Sequence, residues 1–144
     1  MTTDDRFSQL FKKQAELNKR VGFDADALKV KFDPKHAGEW LNNYLAAMGN
    51  ELEELRDCTF WKHWCQEAKE GKRFEIHDLQ NARVEIIDML FFWISLAQCA
   101  GMDADDVWDI YQQKLGVNHA RQDNNYNMEH KTEDDNKSIN TSSK

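Results

Sequence analysis

Two pairs of carboxylates, Glu51-x-x-Glu54 and Glu85-x-x-Asp88, stand where helical periodicity calls for core residues. A spacing of three puts both members of each pair on one helix face. On a wheel of about 100° per residue, Trp40, Tyr44, Met48 and Leu55 define an apolar arc of roughly 80°. Glu51 falls inside that arc and Glu54 at its edge, whereas Glu53 points to the opposite side. The second pair lies within residues 84–94, a run apolar on every side, as in a helix buried in a bundle. An unpaired carboxylate there costs several kcal/mol, so something cationic must compensate it.

One compensation is an ion pair with Lys or Arg from another helix, and the other is a metal ion. Two carboxylate pairs on different helices favour the metal. Four convergent carboxylates are hard oxygen donors suited to Mg²⁺, with Mn²⁺ as a substitute. A di-iron bundle would need Glu-x-x-His on two helices, and neither pair contains His. Magnesium typically keeps several waters and takes substrate phosphates as further ligands, which points toward a nucleoside polyphosphate.

Other residues could complete such a site. Gln14 and Asn18 place two amides on the apolar side of a first helix, either to read a nucleobase edge or to bond helix to helix. Lys114, Asn118, Arg121 and Tyr126 join cations, an amide and a phenol that can clamp phosphate oxygens. Cations near a helix C-terminus also simply oppose its dipole. Trp61 and Trp64 can lie over a base or pack in a core or dimer contact. Cys58, His63 and Cys65 lack a CxxC pair and a fourth ligand for zinc, so they read as buried or incidental thiols.

The elements that must position these groups are helical throughout, because one Pro, six Gly and no period-two run leave little room for strands. A first helix is expected from Asp4 or Asp5 to Gly22, and a connection with one short helical turn over 24–35. A second long helix follows over 36–57, then a less regular Trp-rich segment over 59–72. A fourth helix covers 78–100, with Gly101 as its cap, and a last one runs from Asp103 to a weak end at Gly116. The class is all-α, a bundle of four or five helices occupying residues 1–126. Residues 127–144, polar and nearly devoid of large apolar side chains, read as a disordered tail.

With 19 Lys plus Arg against 26 Asp plus Glu, the formal charge is −7, which removes the clustered positive charge that a nucleic-acid polymer would need. The longest uncharged run, residues 89–102, is too short for a membrane span. Three cysteines cannot pair completely, and the N-terminus shows no secretory signal pattern, so the expectation is a soluble cytoplasmic protein with reduced thiols.

Taken jointly and in order, Gln14-Ala15-Glu16-Leu17-Asn18, Glu51-x-x-Glu54, Phe60-Trp61, Glu85-x-x-Asp88 and Asn118-x-x-Arg121-Gln122 ending at Tyr126 resemble the dimeric dUTPases and the related MazG-like all-α nucleoside triphosphate pyrophosphatases. The resemblance covers roughly residues 7–126. Its last stretch looks especially like the dCTP/dUTP pyrophosphatases of T-even bacteriophages, which suggests a phage-encoded protein acting in host cytoplasm. The resemblance implies a homodimer that binds Mg²⁺ through Glu51, Glu54, Glu85 and Asp88 and cleaves dUTP, with dCTP as a further substrate, to monophosphate and pyrophosphate. Glu51 or Glu54 would orient the water. Gln14 and Asn18 would contact the base, Trp61 would help enclose the nucleotide, and Lys114, Asn118, Arg121 and Tyr126 would hold the phosphates. Two departures are Asn125, where the family often has Gly before the final Tyr, and a chain shorter than many dimeric dUTPases. The competing readings are a MazG-like preference for dGTP or dATP, and a helical binding module without chemistry.

Overall fold

The computed structural model describes residues 5–124 and 134–142. It is all-α, with helices α1 (Arg6–Arg20), α2 (Ala25–Val30), α3 (Pro34–Arg56), α4 (Leu79–Cys99) and α5 (Ala104–Asp123). Each begins at an aspartate. The side chains of Asp5, Asp24, Asp33, Asp78 and Asp103 accept hydrogen bonds from the backbone N–H groups of Ser8, Ala27, Lys35, Asn81 and Asp106, at 2.7 to 3.2 Å. A carboxylate there satisfies an orphan donor and opposes the positive helix end. At α5 the cap is reciprocal, because Asp106 Oδ2 accepts from the Asp103 N–H at 3.0 Å.

The chain divides into two compact units, one of residues 12–101 and one formed by the two ends, 1–11 with 102–144. In the first, α3 packs along α4 and α2 covers part of α4. Phe23, Leu28, Ala37, Tyr44 and Cys99 form its core, with Trp40, Leu41, Phe92 and Leu96 packed against them. Phe23, wholly buried, meets Trp40 at 5.5 Å and Tyr44 edge-on at 5.8 Å between ring centroids. Gly22 has φ +102° where the chain leaves α1, and Gly101, at φ +76°, ends α4 as the sequence predicts.

Residues 57–78 form the irregular Trp-bearing segment. One antiparallel bridge, Thr59 to Ile76, and a bond from the His77 N–H to Cys58 O at 2.9 Å close it, and a π-helical turn (Ala68–Lys72) lies within it. Cys58, Cys65 and Cys99 are free thiols.

Three expectations need correction. Gly116 does not end the last helix, which runs on to Asp123, since one glycine costs only about 1 kcal/mol in a helix. Nor is α4 buried on every side. Val84, Ile87 and Phe91 form one exposed stripe on it, and Leu79, Ile86 and Trp93 another. Within the segment read as disordered, residues 134–138 form a 3₁₀ turn that packs against α5 in the second unit.

Because the wholly buried Phe23 packs on Trp40 and Tyr44 of α3, and Tyr44 carries the cluster on to Phe92 of α4, Phe23→Ala should destabilise the protein by roughly 3 to 5 kcal/mol. Equilibrium urea unfolding checks this through a lowered midpoint at unchanged slope.

Candidate functional site

Glu51 and Glu54 project from the C-terminal half of α3 and Glu85 from the N-terminal half of α4, the two helices that pack together in the first unit. One carboxylate oxygen from each lies within 4.8 Å of the other two. Glu85 is buried, Glu51 half-buried and Glu54 exposed, so the cluster opens to solvent on the Glu54 side. Asp88, one turn beyond Glu85, is not in this three-oxygen set, although its charge acts on Glu51. Three of the four expected carboxylates thus converge within 4.8 Å, and the fourth, Asp88, acts on them through its charge.

Glu51 Oε2 and Glu85 Oε2 are buried without a hydrogen-bond partner. Among the described residues no Lys, Arg or His forms an ion pair with any of the four carboxylates, so the internal ion-pair reading lacks its partner. Burial, the close approach of the Glu85 and Glu54 carboxyls, and the charges of Glu54 and Asp88 push the Glu51 carboxyl up to about 7. Orphaned buried oxygens, crowded carboxylates and an all-oxygen donor set fit a hard divalent cation.

The amides of α1 form a different structure. Gln14 Nε2 donates to Asn18 Oδ1 at 3.0 Å, and Asn18 Nδ2 donates to Ser95 Oγ at 3.0 Å and to Gln98 Oε1 at 3.2 Å. Ser95 in turn gives its only hydrogen to Phe91 O at 2.8 Å. It can thus only accept from Asn18, which fixes the orientation of that amide. Asn18, 3% exposed, binds α1 to α4 and has its donors and its oxygen engaged. The Gln14 side-chain oxygen accepts no hydrogen bond from another described residue. Nearby on α3, the Tyr44 hydroxyl is buried without a partner, and burial pushes it up to about 12.

Trp61 is half-buried, and its indole N–H donates to Asp57 Oδ1 at 2.9 Å. The Arg56 guanidinium and the Lys62 ammonium stand 5.5 and 5.8 Å from its ring centroid, and the Trp64 ring meets it edge-on. A cavity of about 200 Å³ beside it is lined by residues including Asp57, Phe60 and His77. Cys58 Sγ donates to Glu54 O at 3.5 Å and accepts from Asn81 Nδ2 at 3.4 Å, with no zinc-type ligand set among the described residues.

In the second unit, Lys114, Asn118 and Arg121 lie along one stripe of α5. Asn118, Arg121, Leu115, His119 and Gln122 line an open cavity of about 430 Å³. The Arg121 guanidinium is held by Asp135, and Lys114 Nζ by Asn136. Tyr126 lies outside the described residues. Sequence reasoning missed Ser95, Gln98 and Asp135. The first two carried a legible signal, since they interrupt the apolar run of α4 three residues apart, as Glu85 and Asp88 do.

A helical pair presenting three clustered, uncompensated carboxylates defines an all-α protein with a candidate metal centre. Residues 6–99 match the family model described as dUTPase, and the chain belongs to that family. It is also 28% identical over 95 residues to a dCTP pyrophosphatase of Enterobacteria phage LZ5. That alignment covers 62% of this chain and 55% of the relative, so the match spans about half the relative's length. No solved structure matches the chain.

Glu51 is protonated more readily in the fold than in the unfolded chain, which raises stability at low pH and lowers it as pH rises from about 4.5 to about 7. In metal-free buffer, Glu51→Gln should therefore raise Tm at pH 8 relative to the parent and leave the two alike at pH 4. Differential scanning calorimetry with EDTA reads the difference.

Proposed function

We propose that the chain is a Mg²⁺-dependent deoxynucleoside triphosphate diphosphatase that converts dUTP, and also dCTP, to the monophosphate and pyrophosphate. The carboxylate triad on α3 and α4, uncompensated by any described cation and present in a dUTPase family member, carries this reading. The name of the phage relative supports dCTP as the second pyrimidine substrate.

Mg²⁺ would be held by Glu51, Glu54 and Glu85, with Asp88 adding charge beside them. When bound, such a cation offsets phosphate charge and makes water more acidic. Glu51 or Glu54 accepts a hydrogen bond from the attacking water and takes its proton. Water oxygen bonds to phosphorus as the α–β bridge breaks, and pyrophosphate leaves with the bridging oxygen. Gln14 has hydrogen-bonding capacity left for a base edge, whereas Asn18 acts by holding Gln14 from behind. Within the first unit Trp61 offers an aromatic face, and within the second Lys114, Asn118 and Arg121 on α5 are cations and an amide of the kind that hold phosphate oxygens.

The protein is further proposed to be a homodimer of a cytoplasmic, phage-related type. The exposed stripes of α4 are more apolar than a lone chain leaves in water, and a second copy would cover them. No single helix among the described residues is long and apolar enough to cross a membrane.

Pyrophosphate release should occur with Mg²⁺ from dUTP and dCTP in preference to dTTP, dATP and dGTP, and cease with EDTA. Glu85→Gln should lower kcat by at least about a hundredfold. Release from none of the five by the folded parent would favour a binding module, and release chiefly from a purine nucleotide would favour the MazG-like reading.

Light scattering should give twice the 16.9 kDa chain mass for the parent and the single mass for a Phe91→Glu/Trp93→Glu variant. A monomeric parent would contradict the dimer.

A further inference from the structure

The C-terminal segment and α5 meet through the side chains proposed to hold phosphate. Asp135 Oδ2 accepts from Arg121 Nε at 2.6 Å, and Asp135 Oδ1 from Arg121 Nη2 at 2.5 Å. The next residue, Asn136, accepts from Lys114 Nζ. Further along, Gln113 Nε2 donates to Asn140 O at 3.0 Å, and the Asn140 N–H donates back to Gln113 Oε1 at 2.8 Å. The segment thus runs antiparallel to α5, from Arg121 back toward Gln113. The Arg121–Asp135 pair is partly buried, with side chains 18% and 36% exposed.

A two-point carboxylate on a guanidinium has the geometry that two phosphate oxygens also adopt, and one fork cannot serve both at once. The cavity lined by Asn118 and Arg121 lies open on the same helix. The Arg121 guanidinium holds the Asp135 carboxyl below its ordinary range, so the carboxylate stays charged at neutral pH.

We propose that residues 134–142 are a displaceable phosphate stand-in: Asp135 and Asn136 occupy Arg121 and Lys114 until the phosphate chain of the substrate replaces them, and so weaken apparent substrate affinity. This rests on the reading of α5 as a phosphate-holding surface. Asp135 and Asn136 then act by competition and leave the chemical step untouched.

The test compares the full-length parent with full-length Asp135→Asn/Asn136→Ala, measuring KM and kcat for dUTP and dCTP and, independently of turnover, calorimetric binding of inorganic tripolyphosphate. The proposal expects KM and the tripolyphosphate Kd to fall roughly three- to tenfold with kcat unchanged, the range of one partly exposed charge-assisted pair. Unchanged or weakened binding in the double variant overturns it, and weakening would show that the segment helps to bind. Adding Arg121→Gln to the double variant separates the two ideas. Tighter binding in the double variant that Arg121→Gln then abolishes supports the competition. Tripolyphosphate binding that does not respond to Arg121→Gln removes the phosphate role of α5 itself.

Discussion

Mutual repulsion and desolvation of Glu51, Glu54 and Glu85 is the constraint on which the site depends. Three carboxylate oxygens within 4.8 Å, two of the three side chains at least partly buried, form an arrangement that is costly while no cation compensates it. The protein holds it with one proton retained more tightly than usual on Glu51 and with two buried oxygens left without partners. A divalent cation relieves all of these costs together, whereas a single Lys or Arg would offset part of them.

The scaffold tolerates this strain because its other forces are local and redundant. The aromatic cluster of Phe23, Trp40, Tyr44 and Phe92 ties α3 to α4 toward one end, away from the carboxylates. The chain from Gln14 through Asn18 and Ser95 to Phe91 O ties α1 to α4 with every central polar group paired. The acidic character of the chain is also structural in part, since five aspartates cap the five α-helices. Carboxylates that look alike by charge therefore perform two jobs, one at helix ends in water and one between helices.

Periodicity made most of this legible in the sequence. Helix positions, the caps at Asp103 and Gly101, and the conjunction of Glu51, Glu54 and Glu85 all follow from spacing, because helical geometry converts separation in sequence into a shared face. How closely Asp88 approaches the triad was not legible, since three residues along a helix fixes direction and not distance to a facing helix. Asn18 was ambiguous because its partners Ser95 and Gln98 lie nearly eighty positions away. The exposed stripes of α4 escaped periodicity because an all-round apolar helix reads the same whichever of its faces its own chain covers. The docking of Asp135 on Arg121 escaped for another reason. A polar segment with little apolar area reads as disordered, yet a charged fork can hold it without a core.

The most direct test of the central claim is the anomalous difference map of a crystal soaked in Mn²⁺ without nucleotide. The account predicts a peak bounded by carboxylate oxygens of Glu51, Glu54 and Glu85, at roughly 2.0 to 2.3 Å from each. Absence of a peak there, with a Lys or Arg side chain seated among the three carboxylates, would contradict it.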